Sequence, residues 1–308
     1  MVKYLDIKLG YECNNNCRHC VIALQREKTI DIRGNYNRYT NECCDEILKS
    51  KNKGYNSVVI TGGEPLIRND ILEILKYAKD IGLKIFMQSN GRLLNDNSFA
   101  LNVNSYVDAY TIALHGSCSF IHDKITEAEE SFNETVAGLR NLVDLNAKIF
   151  IKTVISNYNY TDLLNIIKLI DRLGIKKINL AFPHANGNAA KYFKEVVPTY
   201  HKIKSYIEEC IIYCKNNNID LELESILPCA LDKTFDLKYF ADLKQYKYEC
   251  ELKQLDSEEL DWNIIRKEIK RKNKICNKCI LSNRCEGYWM EYVEIHGFDE
   301  FQPITENI

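Results

Sequence analysis

Short runs of β-branched and other apolar residues recur along the chain at 4–9, 57–61, 84–89, 109–114, 148–155 and 177–182. Their length and bounding turn residues mark them as strands, and their nearly continuous apolar character fits strands covered on both faces. Between them, apolar positions fall at helical spacing over 40–53, 69–81, 131–145 and 160–173, with a shorter stretch at 95–102. Strand alternating with helix implies parallel strands joined by crossover helices. The predicted fold class is therefore α/β, a partial (β/α)6 TIM-like barrel, with ligands expected at the carboxyl ends of the strands. The alternation stops after Pro183. Residues 200–215 read as a helix, 219–223 as a half-buried strand and 258–272 as a charged helix. A boundary near 220 separates a barrel core of residues 1–220 from a small extension of residues 221–308.

Chemistry-bearing residues fall where this pattern puts strand ends. Cys13, Cys17 and Cys20 follow the first run as C-N-N-N-C-R-H-C. Three thiols are one short of a closed tetrahedral metal site. They can hold a [4Fe–4S] cluster and leave one iron open for chemistry. Gly62-Gly63-Glu64-Pro65 follows the second run. Its glycines allow close backbone approach to a ligand, and Glu64 with nearby carbonyls offers acceptors for an ammonium group. Ser89-Asn90-Gly91 ends the third run, and a second cysteine group, Cys276-x2-Cys279-x5-Cys285, lies in the extension.

Composition narrows the class. Forty-one basic residues balance 43 acidic ones in 308, a net charge of −2, which makes no electrostatic case for nucleic acid or an anionic membrane. No apolar stretch is long enough to span a bilayer, and the first residues lack a signal-peptide core. Thirteen cysteines without a secretion signal point to reduced thiols or metal ligands in the cytoplasm. Cys43, Cys44, Cys210 and Cys214 lie on expected helices and read as core thiols.

Together, the cysteine loop and Gly62-Gly63-Glu64-Pro65 resemble the radical SAM superfamily, and the resemblance covers most of the chain. It implies that Cys13, Cys17 and Cys20 hold a [4Fe–4S] cluster whose open iron binds the amine and carboxylate of S-adenosylmethionine. Reductive cleavage would then give a 5′-deoxyadenosyl radical. His19 takes the usually aromatic position near the adenine, and Gly62, Gly63, Glu64 and Pro65 would receive the methionine ammonium. Ser89 and Asn90 resemble the segment near the ribose and carboxylate, though an ordinary turn fits Ser89 as well. Lys152 or Thr153 would point into the barrel, and Gly187 with Asn188 resembles a loop closing over the cofactor. Ala113 stands where many relatives have serine. His115 is either a substrate-facing group or a structural histidine. Cys118 is either a hydrogen-atom donor, as an epimerase needs, or an inert thiol. His184 is a candidate substrate contact, and His122 with Asp123 is expected to be structural.

The Cys276, Cys279, Cys285 spacing resembles the SPASM and twitch extensions of the same superfamily. No cysteine follows Cys285, a departure that implies one auxiliary [4Fe–4S] cluster rather than two. Its fourth ligand is then Cys229, alternatively Cys250, or the iron stays open; a zinc site built from the same thiols is the other possibility. The basic stretch 266–274 is a solvated face, an offset to cluster charge or a dock for an acidic leader peptide. The leading expectation is oxidative modification of a ribosomally made peptide: a thioether or C–C crosslink, or epimerisation. Little chain precedes Cys13, so leader recognition is assigned to another surface or protein. The alternatives are a small-molecule dehydrogenase of the sugar or aminocyclitol type, and a non-catalytic Fe–S or zinc protein. The resemblance further implies a flavodoxin- or ferredoxin-type electron donor.

Overall fold

The structure is a computed structural model that describes residues 2–233, 235–244, 248–255, 260–261, 264–265 and 268–305. Seven parallel strands follow one another in chain order: β1 (Val2–Lys8), β2 (Ser57–Thr61), β3 (Lys84–Ser89), β4 (Ala109–Ala113), β5 (Ile149–Val154), β6 (Lys177–Ala181) and β7 (Asp220–Glu224). They form the sheet of a TIM-like partial barrel. The sequence reading stops at six strands; β7 is the half-buried strand of 219–223 incorporated as the seventh. A boundary at 220 therefore meets the first residue of β7.

The chain beyond β7 does not simply leave the barrel. β8 (Tyr248–Lys253) adds parallel to the outer edge of β1, and β9 (Leu260–Asp261) pairs antiparallel with β8. This covers one edge of the sheet, where unpaired backbone groups would otherwise face solvent. The expected helix over 258–272 does not form as one piece. β9 and β10 (Lys270–Arg271) lie within it, and β10 pairs with β11 (Tyr288–Trp289). The remainder of that stretch lies partly outside the described residues.

Period two explains the site's chemistry. On β3, Ile85, Met87 and Ser89 are buried while Lys84, Phe86 and Gln88 are exposed. On β5, Ile149, Ile151 and Thr153 are buried, and Phe150, Lys152 and Val154 take the other face. The apolar set packs on the outer helices. The alternate set, including Gln88, Thr111, Lys152 and Glu224, lines the bore. Helix Ile71–Asp80 buries Ile71, Ile74, Leu75 and Ala78, and helix Leu163–Arg172 buries Leu163, Ile166, Ile167 and Ile170. Each such branched side chain contributes about 1.5–3 kcal/mol by leaving water, which fixes the helical stripe against the sheet. The stretch 95–102 divides into a short turn, Arg92–Asn95, and the helix Asn97–Asn104. Two helices not expected from the pattern, Ala23–Arg33 and Ser119–Thr126, follow the loops after β1 and β4. No helix among the described residues is long and apolar enough to cross a membrane.

Candidate active site and auxiliary cysteine pocket

One cavity of about 410 Å³ opens at the carboxyl ends of the strands. Cys13, Cys17, His19 and Cys20 line it beside Gly62, Gly63 and Glu64, with Ser89, Asn90, His115 and Lys152. The thiols are held up by burial: Cys13 is raised to about 11, and Cys17 and Cys20 lie above their ordinary range. Arg26, also on the cavity wall, opposes that shift for all three.

Neighbouring loops hold the cysteine loop by its backbone. Gly63 N–H donates to Gly10 O and Glu64 N–H to Glu12 O, both at 2.8 Å. A Cβ on Gly62 would stand 2.2 Å from Gly10 O, and one on Gly63 would stand 2.0 Å from Glu12 O. The glycines thus let two protein segments touch, a different reason from the ligand approach expected of them. Arg92 donates to Asn14 O at 2.6 Å and Asn15 Oδ1 at 2.8 Å, and Asn90 Nδ2 donates to Asn14 Oδ1 at 2.7 Å. Gly187 and Asn188 act from behind. Asn188 N–H donates to Cys20 O at 2.9 Å and its side chain to Cys17 O at 3.0 Å. Neither is among the cavity-lining residues; both brace the cysteine loop.

Glu64 is buried and accepts from Leu66 N–H (3.0 Å), Ser89 Oγ–H (2.8 Å) and Asn90 N–H (2.6 Å). Burial raises its pKa, and those donors act against the rise. Three donors leave acceptor capacity on a carboxylate with about four lone-pair sites. Pro65 starts the short turn that Glu64 caps and lies outside the cavity lining.

His19, His115 and His122 form a row, with ring centres 4.4 Å and 5.9 Å apart; His115 and His122 are buried and His19 is half-buried. Burial lowers all three, His19 and His122 to about 4. His115 Nδ1 accepts from Val154 N–H at 3.3 Å, which leaves its Nε2 to carry the proton. His19 Nδ1 is buried without a partner. Lys152 pairs with Glu224 at 2.7 Å inside the cavity, while Thr153 is buried and bonds Leu114 O at 2.6 Å. Cys118 is exposed, caps the helix Ser119–Thr126 and is not among the cavity-lining residues. A hydrogen-atom donor must reach the substrate radical, so this position does not suit that role.

The second cysteine group closes on itself. Cys229, Cys276, Cys279 and Cys285 line one apolar pocket of about 30 Å³ with Tyr288, Phe298 and Phe301. Cys250 sits buried in β8 against β1 and does not line this pocket. Among the described residues, no three His, Cys, Asp or Glu side chains are gathered to hold a single metal ion.

Sequence reasoning missed Arg26, which acts on the nearby thiols by charge alone, and Arg92, whose partners lie in distant loops. It also missed Ser225 and Trp289. Ser225 follows β7 at φ +56° with its backbone gripped by Asp242 and by Tyr200 Oη–H (2.6 Å). Trp289 comes from β11, stacks on His184 at 4.4 Å and lines the cavity with it. His184 Nε2 lies 3.1 Å from Glu291 Oε1.

Comparison with known proteins gives a consistent family. A sequence model described as the radical SAM superfamily matches residues 7–181. A probable GTP 3′,8-cyclase of Saccharolobus islandicus is 28% identical over 229 residues, which is 74% of this chain and 71% of the relative. The AdoMet-dependent heme synthase of Nitratidesulfovibrio vulgaris is 26% identical over 195 residues, 63% of this chain and 52% of that protein. Among solved structures, Streptococcus suis SuiB bound to S-adenosylmethionine superposes with a TM-score of 0.65 at 14% identity, covering 98% of this chain and 76% of SuiB. SuiB with its precursor peptide SuiA gives 0.63 at 14% identity, over 99% and 75%. At this identity the likeness is one of fold.

Proposed function

The chain belongs to the radical SAM superfamily, and from that premise we propose that it oxidatively modifies a ribosomally made peptide. The residues fit the cofactors of such an enzyme. Three thiols, an acceptor-rich Glu64 and the unpartnered His19 Nδ1 converge on one cavity. Cys13, Cys17 and Cys20 would hold a [4Fe–4S] cluster, with S-adenosylmethionine along Gly62–Glu64, Ser89 and Asn90. When bound, these groups supply a 5′-deoxyadenosyl radical that abstracts hydrogen from an unactivated C–H bond.

The chain's own residues do the rest. Glu64 offers a buried acceptor for an ammonium group. Arg26 places a positive charge near the thiolates. The Lys152–Glu224 pair gives the bore polar groups for a substrate, and Phe182 and Trp289 supply apolar wall that excludes water. Cys229, Cys276, Cys279 and Cys285 would hold an auxiliary cluster with a full set of thiolates, which leaves no open iron for substrate. Such a group suits electron acceptance, hence an oxidative outcome.

The observation that carries the reading is Trp289. The residue that follows the auxiliary pocket's own Tyr288 is also part of the cavity wall, so the two sites share one strand. The peptide-bound SuiB structure, alike in fold over nearly the whole chain, supports a peptide as the substrate. The likeness to probable GTP 3′,8-cyclases favours a second reading, a small-molecule substrate such as a nucleotide. Anaerobic reconstitution with iron, sulfide, S-adenosylmethionine and dithionite separates them. Host extract is split by ultrafiltration, and 5′-deoxyadenosine is measured with each fraction and with GTP. Protease-sensitive stimulation by the larger fraction supports the peptide. Stimulation by the small fraction or GTP supports the second reading. Absence of 5′-deoxyadenosine with clusters verified overturns radical catalysis.

A further inference from the structure

The phenol of Tyr288 ends 3.0 Å from Cys229 Sγ, on the wall of the four-thiol pocket. Its ring is 4% exposed, stacks on Phe301 with centres 3.6 Å apart, and stands edge-on to Tyr200 at 5.1 Å. The backbone is equally constrained. Tyr288 pairs with Arg271 across β10 and β11. Gly287, at φ +95°, lies so close to Arg271 that a Cβ would meet its carbonyl oxygen at 2.2 Å. The same turn gives Cys285 a bond, Gly287 N–H donating to its sulfur at 3.3 Å.

A phenol keeps its proton on oxygen at neutral pH. A thiolate can accept a hydrogen bond but has none to donate. Once Cys229 is a ligand, the direction is therefore settled: O–H donates to sulfur.

We propose that Tyr288 is a positioning residue of the auxiliary site, whose hydroxyl anchors the Cys229 sulfur and makes the group held by the four thiols easier to reduce. Hydrogen bonds to ligand sulfurs are one of the levers by which a protein sets a cluster's potential. Donation withdraws electron density from sulfur, which favours the more negative, reduced state. This rests on the reading that Cys229, Cys276, Cys279 and Cys285 hold a cluster.

The test is Tyr288→Phe, which keeps the ring and removes the hydroxyl, in the reconstituted full chain. Iron is counted, the auxiliary signal is followed by electron paramagnetic resonance during a redox titration, and substrate-free S-adenosylmethionine cleavage is measured. The expected variant keeps about eight irons per chain, its auxiliary signal appears at a lower potential, and substrate-free cleavage is unchanged. Loss of about four irons in the variant alone also supports the anchor. Full iron with an unmoved potential overturns the Tyr288 inference and leaves the cluster reading standing. About four irons in the parent itself overturns the four-thiol reading and this inference with it. Should the variant fail to fold, double-resonance spectra of the parent in light and heavy water decide: an exchangeable proton coupled to the auxiliary cluster is expected beyond the one that Gly287 N–H gives Cys285, and its absence overturns the proposal.

Discussion

Replacing Lys270 by methionine tests how the C-terminal segment is fastened to the barrel. The Lys270 and Asp242 side chains are both 0% exposed and form an ion pair, and Lys270 Nζ lies 3.1 Å from Glu286. The ammonium also stands 4.6 Å from the centre of the Trp289 ring. Asp242 extends the tie by accepting the backbone N–H of Ser225, where β7 meets the cavity. Methionine roughly matches the lysine stem, so packing changes little and the charge is what is lost. Removing one member of a buried pair costs about 3–5 kcal/mol, because the partner stays buried without its counter-charge. At about 1.4 kcal/mol per decade, that is roughly a thousandfold in the ratio of folded to unfolded chain. The assay is urea unfolding of the metal-free protein followed by circular dichroism, beside Lys270→Arg and the double variant Lys270→Met/Asp242→Leu. Arginine keeps a cation and is expected to lose less. The double variant is expected to recover part of the loss, since the buried pair is then removed whole. A loss below about 1 kcal/mol, the value of a surface pair, would refute the reasoning. So would a double variant no better than the single one.

Four further outcomes are expected. Gly62→Ala forces a Cβ to within 2.2 Å of Gly10 O at φ +133°; strain of about 1–3 kcal/mol should weaken S-adenosylmethionine binding by about fivefold to a hundredfold, and unchanged binding in equilibrium dialysis counts against the packing argument. Cys229→Ser should lower bound iron where Cys250→Ser does not, and Cys118→Ser should leave 5′-deoxyadenosine formation within about twofold of the parent; a large loss with Cys118→Ser would return that thiol to the mechanism. Burial holds His122 at about 4 against an ordinary 6.5, so the unfolded chain takes up the proton first. Stability is therefore full above about 6.5 and falls as the pH drops toward 4. Melting over that window should lose part of its slope in His122→Gln, since burial lowers His19 and His115 as well, and a slope equal to the parent's would remove His122 as a cause.

The local features of this protein were legible because they are written in neighbouring residues. Period-two and helical spacing marked six of the barrel strands and most of their helices. The Cys13, Cys17, Cys20 spacing marked one site, and Cys276, Cys279, Cys285 most of the other. Choosing Cys229 over Cys250 rested on Cys229 following the strand that opens the extension; in the structure Cys229 lines the pocket of Cys276, Cys279 and Cys285, and Cys250 does not. Tertiary structure alone decided features that depend on backbone meeting backbone across long separations. β8 alternates apolar and polar residues as Y-E-C-E-L-K, a strand signal that the sequence reading passed over; what tertiary structure decided is its partner, the open edge of β1. Gly62 and Gly187 look like ligand-binding glycines in one dimension, yet what excludes a side chain there is the Gly10 carbonyl in one case and the Cys20 carbonyl in the other. Arg92 and Trp289 carry no motif, and each earns its place through partners far away in sequence. Spacing along a chain can specify which residues share a loop; which loops share a cavity follows only once the sheet has brought the strand ends together.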